Sequence, residues 1–213
     1  MEKKDKVNNF SLALGLFDFI NPIFYCITSI TIIKNFYSLM DKPLFVLMSL
    51  GQMFSMIFGL SIPTVKCMVG LGKMKFKMPV NLVFYVNTGI FITGLCLFTF
   101  VFNMSLWIML LIINIALLSL FIIYKKGKKF NTVAVLIGMV GYLLIYSSLI
   151  FIAIISNHQL SIVMYAVAIL LFLFLVLVGI KANLKDARVH WVIEISNVIC
   201  QGLVALSTIL LFH

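Results

Sequence analysis

The sequence predicts an all-α fold: a polytopic transmembrane helical bundle of about seven spans, with a cytoplasmic N-terminus and an external C-terminus. Three observations predict it. The composition is 63% hydrophobic and only 10% charged, with a mean hydropathy of +1.20, whereas a soluble domain carries about 25% charged residues. Apolar stretches of spanning length recur along the chain. Basic residues cluster in alternate connections between them.

Seven stretches are long enough to cross a bilayer, which requires roughly 20 mostly apolar residues. The connections between them are too short to fold alone. We therefore expect residues 1–213 to form a single transmembrane domain. Its predicted spans are about 11–33, 43–63, 80–102, 104–124, 131–156, 160–180 and 191–212.

The distribution of basic residues predicts the orientation. With seven spans, one side of the membrane receives four groups, while the other receives only Lys34 and Lys42. Such an asymmetry marks the cytoplasmic side, which places the protein in the plasma (inner) membrane with anionic lipids as partners on that side. A nucleic-acid partner is not expected, despite the net charge of +10. The four groups are Lys3, Lys4 and Lys6; Lys66, Lys73, Lys75 and Lys77; Lys125, Lys126, Lys128 and Lys129; and Lys181, Lys185 and Arg188.

An odd number of spans permits a three-plus-one-plus-three arrangement of parallel repeats. At an offset of 109 residues, positions 69–85 align with positions 178–194 without gaps. Both segments would enter the membrane from the same side, as parallel repeats require. The sequence therefore allows an internal repeat as one alternative.

Polar residues inside the spans are the candidates for function, because intramembrane charge is costly and normally functional. On the seventh span four polar residues recur at helical spacing, within an arc of roughly 60°. Similar faces are predicted on the first and third spans, so we expect spans 1, 3 and 7 to surround a polar cavity that opens to the cytoplasm. The candidate ligands of a substrate or ion are Asp18, Asn21, Gln52, Tyr85, Thr88, His190, Glu194, Asn197 and Gln201.

Asp18 and Glu194 are the two acidic residues predicted to lie within spans. No span contains a basic partner for them by these boundaries, so we expect protonation or cation binding at these carboxylates. Pro22 and Pro63 each remove a backbone hydrogen bond and are expected to kink or break their helices. A broken first helix beside Asp18 would add backbone groups to a binding site.

These features favour a small-solute or ion transporter coupled through intramembrane carboxylates. A membrane-embedded enzyme that acts on lipid near the cytoplasmic face, with Glu194 as acid–base and His190 assisting, is an alternative. A non-catalytic sensor, accessory or immunity-type protein is another. The sequence contains no hydrolase, metalloprotease or nucleotide-binding motif. No cofactor or metal is predicted, although His190, Glu194 and Asp18 together could ligate one; the oligomeric state is left open.

The orientation is testable by cysteine labelling in a variant that lacks the four native cysteines. We expect Lys128→Cys to react with an impermeant maleimide only after cells are permeabilised, because it lies in a lysine-rich connection. His158→Cys should react in intact cells. The reverse pattern of labelling would exclude the predicted orientation.

Overall fold

The computed structural model describes residues 11–73, 80–125, 130–181 and 187–213, and all regular secondary structure within these ranges is α-helical. The prediction of an all-α protein is therefore confirmed for the described residues. The helices are α1 (Leu12–Asp18), α2 (Ile20–Phe36), α3 (Lys42–Gly70), α4 (Val80–Val101), α5 (Leu106–Lys125), α6 (Phe130–Ile155), α7 (Gln159–Lys181) and α8 (Ala187–Phe212).

Six helical segments in the described part of the chain are long and apolar enough to cross a membrane, with α1 and α2 counted together as one. This length and composition indicate a multi-pass membrane protein. The fourth predicted span, 104–124, corresponds to α5, in which the shorter stretch Leu106–Ala116 is the apolar segment found. The seven-span count and the orientation stay predictions. Part of the basic pattern lies outside the described residues. It comprises Lys3, Lys4, Lys6, Lys75, Lys77, Lys126, Lys128, Lys129 and Lys185.

A single residue, Phe19, separates α1 from α2, and its backbone keeps helical dihedral angles (φ −64°, ψ −21°). Pro22 is the third residue of α2, where a backbone N–H would have no partner within the helix. The first span is therefore locally distorted beside Asp18 rather than fully broken, with Asp18 as the last residue of α1 and Asn21 in the first turn of α2.

The second span differs from its prediction. Pro63 does not break α3, which continues to Gly70 rather than ending near residue 63. Proline is tolerated within helices of membrane proteins, where the freed backbone group can face a cavity or be satisfied by its surroundings. The consequence is that Lys66, assigned to a connection by hydropathy, belongs to α3. At the other end of the chain, α8 begins at Ala187, four residues before the predicted span.

The helices pack in a closed order around a common interior. Contacts run from α2 to α3, α4, α6, α7, α8 and back to α2, while α1 packs mainly on α3 and α5 contacts α4 and α6 from outside. A parallel three-helix repeat with α5 between its halves would produce this order. Because the aligned segments 69–85 and 178–194 lie partly outside the described residues, the repeat stays a prediction.

Glycines allow α4 to approach its neighbours closely, as small residues do between membrane helices. A Cβ atom on Gly51 of α3 would lie 2.8 Å from the carbonyl oxygen of Gly89. On the opposite side of α4, a Cβ atom on Gly141 of α6 would lie 2.6 Å from the backbone of Phe91. These contacts fix which face of α4 is turned toward the interior.

Gly141→Ala should lower the free energy of unfolding, because the added methyl group meets backbone atoms that cannot move aside; overpacking of this kind costs about 1–3 kcal/mol. Thermal unfolding in detergent measures the effect. Gly59→Ala is the matched control, since its Cβ would meet only Pro22 Cβ at 4.0 Å. Equal melting temperatures for the two variants would contradict this packing.

Candidate binding cavity

Lys66 is held between two buried carboxylates from different helices. Its Nζ lies 2.8 Å from Asp18 Oδ2 and 2.5 Å from Glu194 Oε1. The three side chains are between 7% and 10% exposed. The expectation that no span supplies a basic partner for Asp18 and Glu194 is therefore wrong. A Coulombic interaction in this low-dielectric setting is much stronger than on a protein surface.

Asn21 joins the same two carboxylates from a second direction. Its Nδ2 donates to Asp18 Oδ1 at 3.2 Å and to Glu194 Oε2 at 3.1 Å. These two bonds use both hydrogens of the asparagine NH₂ group. The amide oxygen Oδ1 is buried and has no hydrogen-bond partner. Asp18, Asn21, Lys66 and Glu194, called the carboxylate cluster below, thus link α1, α2, α3 and α8.

The carboxylate cluster forms one end of a cavity of about 220 Å³. Tyrosine, serine and amide side chains line the part that extends away from the cluster, and proline and branched apolar side chains line the sides. The lining residues are Asp18, Asn21, Pro22, Tyr25, Ser55, Gly59, Ile62, Pro63, Lys66, Val86, Ile90, Tyr142, Glu194, Asn197 and Gln201.

A much smaller void of about 10 Å³ continues beyond Tyr25, Tyr142 and Gln201, which border both spaces. Gln52 lines this void, is completely buried and has no hydrogen-bond partner for either amide atom. Thr93 also lines it, with its hydroxyl buried and unpartnered. Polar atoms therefore extend from the carboxylate cluster toward the centre of the bundle.

The structure brings most of the predicted site residues to these two spaces. Asp18, Asn21, Glu194, Asn197 and Gln201 line the cavity, and Gln52 and Gln201 line the smaller void. For Glu194, Asn197 and Gln201, this grouping follows from their helical spacing on α8.

Three candidates lie elsewhere: Tyr85, Thr88 and His190 are not among the lining residues. Tyr85 is 40% exposed, and its ring packs on Phe58 with centroids 4.7 Å apart. His190 is buried one turn before Glu194. The expectation that the third span turns a polar face toward the cavity is therefore not met; α4 supplies Val86 and Ile90 instead, because its glycine contacts fix its rotation.

Sequence reasoning missed Lys66, yet a signal for it exists. Gln52, Ser55, Gly59 and Lys66 are separated by three, four and seven residues, which places them on one face of a continuous helix. All four line the cavity or the adjoining void. A helix drawn through Pro63 would have placed Lys66 on the polar face of α3.

No protein-family model matches this chain, and no curated protein or solved structure matches it either. Its function is therefore argued from the geometry of the site.

The chemistry of the carboxylate cluster is set by its charge. With Asp18, Glu194 and Lys66 ionised, the formal charge is −1, and each carboxylate oxygen can accept one more hydrogen bond. In the described residues, no group of three or more His, Cys, Asp or Glu side chains could hold a metal ion. The unused lone pairs of the two carboxylates can accept a proton or a further hydrogen-bond donor.

Lys66→Met should be strongly destabilising, because it leaves two carboxylates buried without a counter-charge; removal of one partner from a buried ion pair costs about 3–5 kcal/mol. The triple variant Lys66→Met, Asp18→Asn, Glu194→Gln removes all three charges and should recover most of that loss. Melting temperatures in detergent measure both. Lys34→Met, at an exposed position of α2, is the control and should melt as the wild type does. If Lys66→Met matches this control, the ion pairs contribute nothing to stability.

Proposed function

We propose that the protein is a small-solute transporter of the plasma (inner) membrane whose transport is coupled through Asp18 and Glu194. The observation that carries the proposal is the position of the carboxylate cluster, which is buried among apolar helices and forms the end wall of a cavity. Intramembrane carboxylates of this kind mark ion and proton pathways in transporters. The volume of about 220 Å³ suits a small solute, since pockets for drug-sized ligands begin at about 300 Å³.

The coupling step follows from the cost of an unpaired buried charge. Because an isolated carboxylate in this setting is expensive, a proton or cation that binds Glu194 competes with Lys66 for that carboxylate. Lys66 can then pair with Asp18 alone, 2.8 Å away. Since these residues lie on α1, α3 and α8, an exchange of partners changes what holds these helices together. Differential binding to two such arrangements is what a transport cycle requires.

The far end of the bundle is closed in this structure. Phe36 of α2 packs edge-to-face against Phe100 of α4 and Phe212 of α8, with centroids 5.5 and 5.6 Å apart. Polar lining residues therefore lie toward the carboxylate-cluster end, and apolar packing lies toward the other. A bundle that is sealed beyond one end of its cavity is compatible with one state of an alternating-access cycle.

Two features disfavour the lipid-enzyme alternative. Glu194, the proposed acid–base, is already engaged by Lys66 and Asn21. Ser55 lines the cavity, but its hydroxyl contacts the carbonyl oxygens of Gly51 and Val86 rather than a base. Covalent catalysis by a serine requires a base that is hydrogen-bonded to its hydroxyl, and Ser55 does not form such a pair.

Proton coupling is testable in proteoliposomes that contain the pH indicator pyranine. Amino acids, small carboxylic acids, alkylamines and alkali cations are added one at a time, and we expect at least one to change the internal pH by more than it does in protein-free liposomes, because neutral acids and amines also cross the bilayer unaided. Glu194→Gln should abolish the response, because glutamine keeps the shape but carries no exchangeable charge. Asp18→Asn should reduce it.

Asp41→Asn is the matched control for this assay, because Asp41 is an exposed carboxylate before α3, and it should respond as the wild type does. Wild-type responses from both Glu194→Gln and Asp18→Asn would contradict the mechanism. A cleaved lipid, detected by mass spectrometry of the wild-type proteoliposomes, would favour the enzyme.

A further inference from the structure

The lining near the carboxylate cluster offers a free acceptor in addition to its charges. Asn21 is 8% exposed and lines the cavity. Its Oδ1 is covered by neighbouring atoms and has no hydrogen-bond partner, so a donor in the cavity reaches it through a small shift of the lining. A buried carbonyl oxygen without a partner costs free energy unless a donor approaches it. The geometry of Asn21 therefore favours an occupant that carries N–H or O–H groups.

A second acceptor comes from the backbone of α3. Pro63 has no N–H, so the carbonyl of Gly59, four residues earlier, lacks its usual helical donor. Gly59 and Pro63 both line the cavity, and Gly59, having no side chain, presents only backbone there. A Cβ on Gly59 would lie 4.0 Å from Pro22 Cβ, next to Asn21 along the chain. The two acceptors thus belong to adjacent parts of the wall.

The charge of the site selects a monovalent cation. With all three side chains ionised, Asp18, Glu194 and Lys66 sum to −1, so one added positive charge makes the cluster neutral, whereas an added anion would be repelled by the excess carboxylate. Lys66 itself shows how an ammonium group fits these carboxylates, since its Nζ donates to Glu194 and contacts Asp18.

The remaining wall is apolar and distinguishes an organic cation from an inorganic one. Ile62, Val86 and Ile90 line the cavity beside the polar groups. Apolar side chains gain nothing from a hydrated metal ion, but they bury an alkyl chain favourably, by about 0.8 kcal/mol for each CH₂ in ordinary transfer.

We propose that the cavity binds a short primary alkylamine in its ammonium form. The ammonium group donates to Asn21 Oδ1, the Gly59 carbonyl and a carboxylate of the cluster, and the alkyl chain lies against Ile62, Val86 and Ile90. This rests on the proposed function, since it names the substrate class of that transporter, but binding is measured separately from transport.

The test is calorimetric titration of the full chain, purified in detergent, with n-butylammonium chloride. Three matched probes separate the contributions: butan-1-ol has the chain without the charge, tetramethylammonium chloride has the charge without N–H donors, and sodium chloride has the charge alone. We expect saturable binding of n-butylammonium and at least tenfold weaker binding of the other three.

Two variants assign the acceptors. Asn21→Leu should weaken n-butylammonium binding about tenfold, the loss typical of a hydrogen bond to a charged group. Pro63→Ala restores a backbone donor for the Gly59 carbonyl and improves the helix, so it is expected to fold, and it should weaken binding several-fold. Asn114→Leu is the control, because Asn114 is exposed on α5 and donates to its own helix at Leu110.

The outcomes separate this proposal from the transport function. Equal affinity for sodium or tetramethylammonium, or unchanged affinity in both Asn21→Leu and Pro63→Ala, would overturn the alkylamine site. Proton flux driven by another solute, without binding of n-butylammonium, would overturn it while leaving the transporter intact. Binding of n-butylammonium with the expected variant effects, but without any flux, would support the site and count against transport.

Discussion

The ammonium group of Lys66 is the interaction on which the arrangement of α1, α3 and α8 depends. Its contacts with Asp18 and Glu194 join residues that are far apart in sequence and buried among apolar helices. None of the three charges could be buried alone without a large desolvation penalty. Each therefore constrains the position of the others, and through them the rotation of three helices.

The backbone around this interaction departs from regular helix where it matters for binding. The interruption at Phe19 places Asp18 at the end of α1, and Asn21, one turn later on the same face, reaches both carboxylates. Pro63 removes a donor one turn before Lys66 without ending α3. Irregular backbone at membrane depth is tolerated where it lines a cavity; Pro63 lines this one, as do Asp18 and Asn21 on either side of Phe19.

Polar and apolar packing divide the interior of the bundle along its length. Toward one end lie the carboxylate cluster and the cavity, and then come the buried amide of Gln52 and the hydroxyl of Thr93. Toward the other lie Phe36 and its aromatic neighbours. Unpaired polar groups in an apolar interior are costly. Their concentration along one continuous path would provide hydrogen-bond partners for a polar solute.

The sequence by itself determined the helices, their apolar character and the position of Asp18 and Glu194 as acidic residues within spans, because hydropathy and helical periodicity are local properties. It also placed Glu194, Asn197 and Gln201 on one face of α8. Only the tertiary structure decided that Lys66 neutralises the carboxylates and that α4 turns Val86 and Ile90 toward the cavity. Hydropathy ends a span where proline and lysine appear, although α3 continues through both. The choice of a counter-charge depends on which helices pack against one another, and that is a property of the packed bundle.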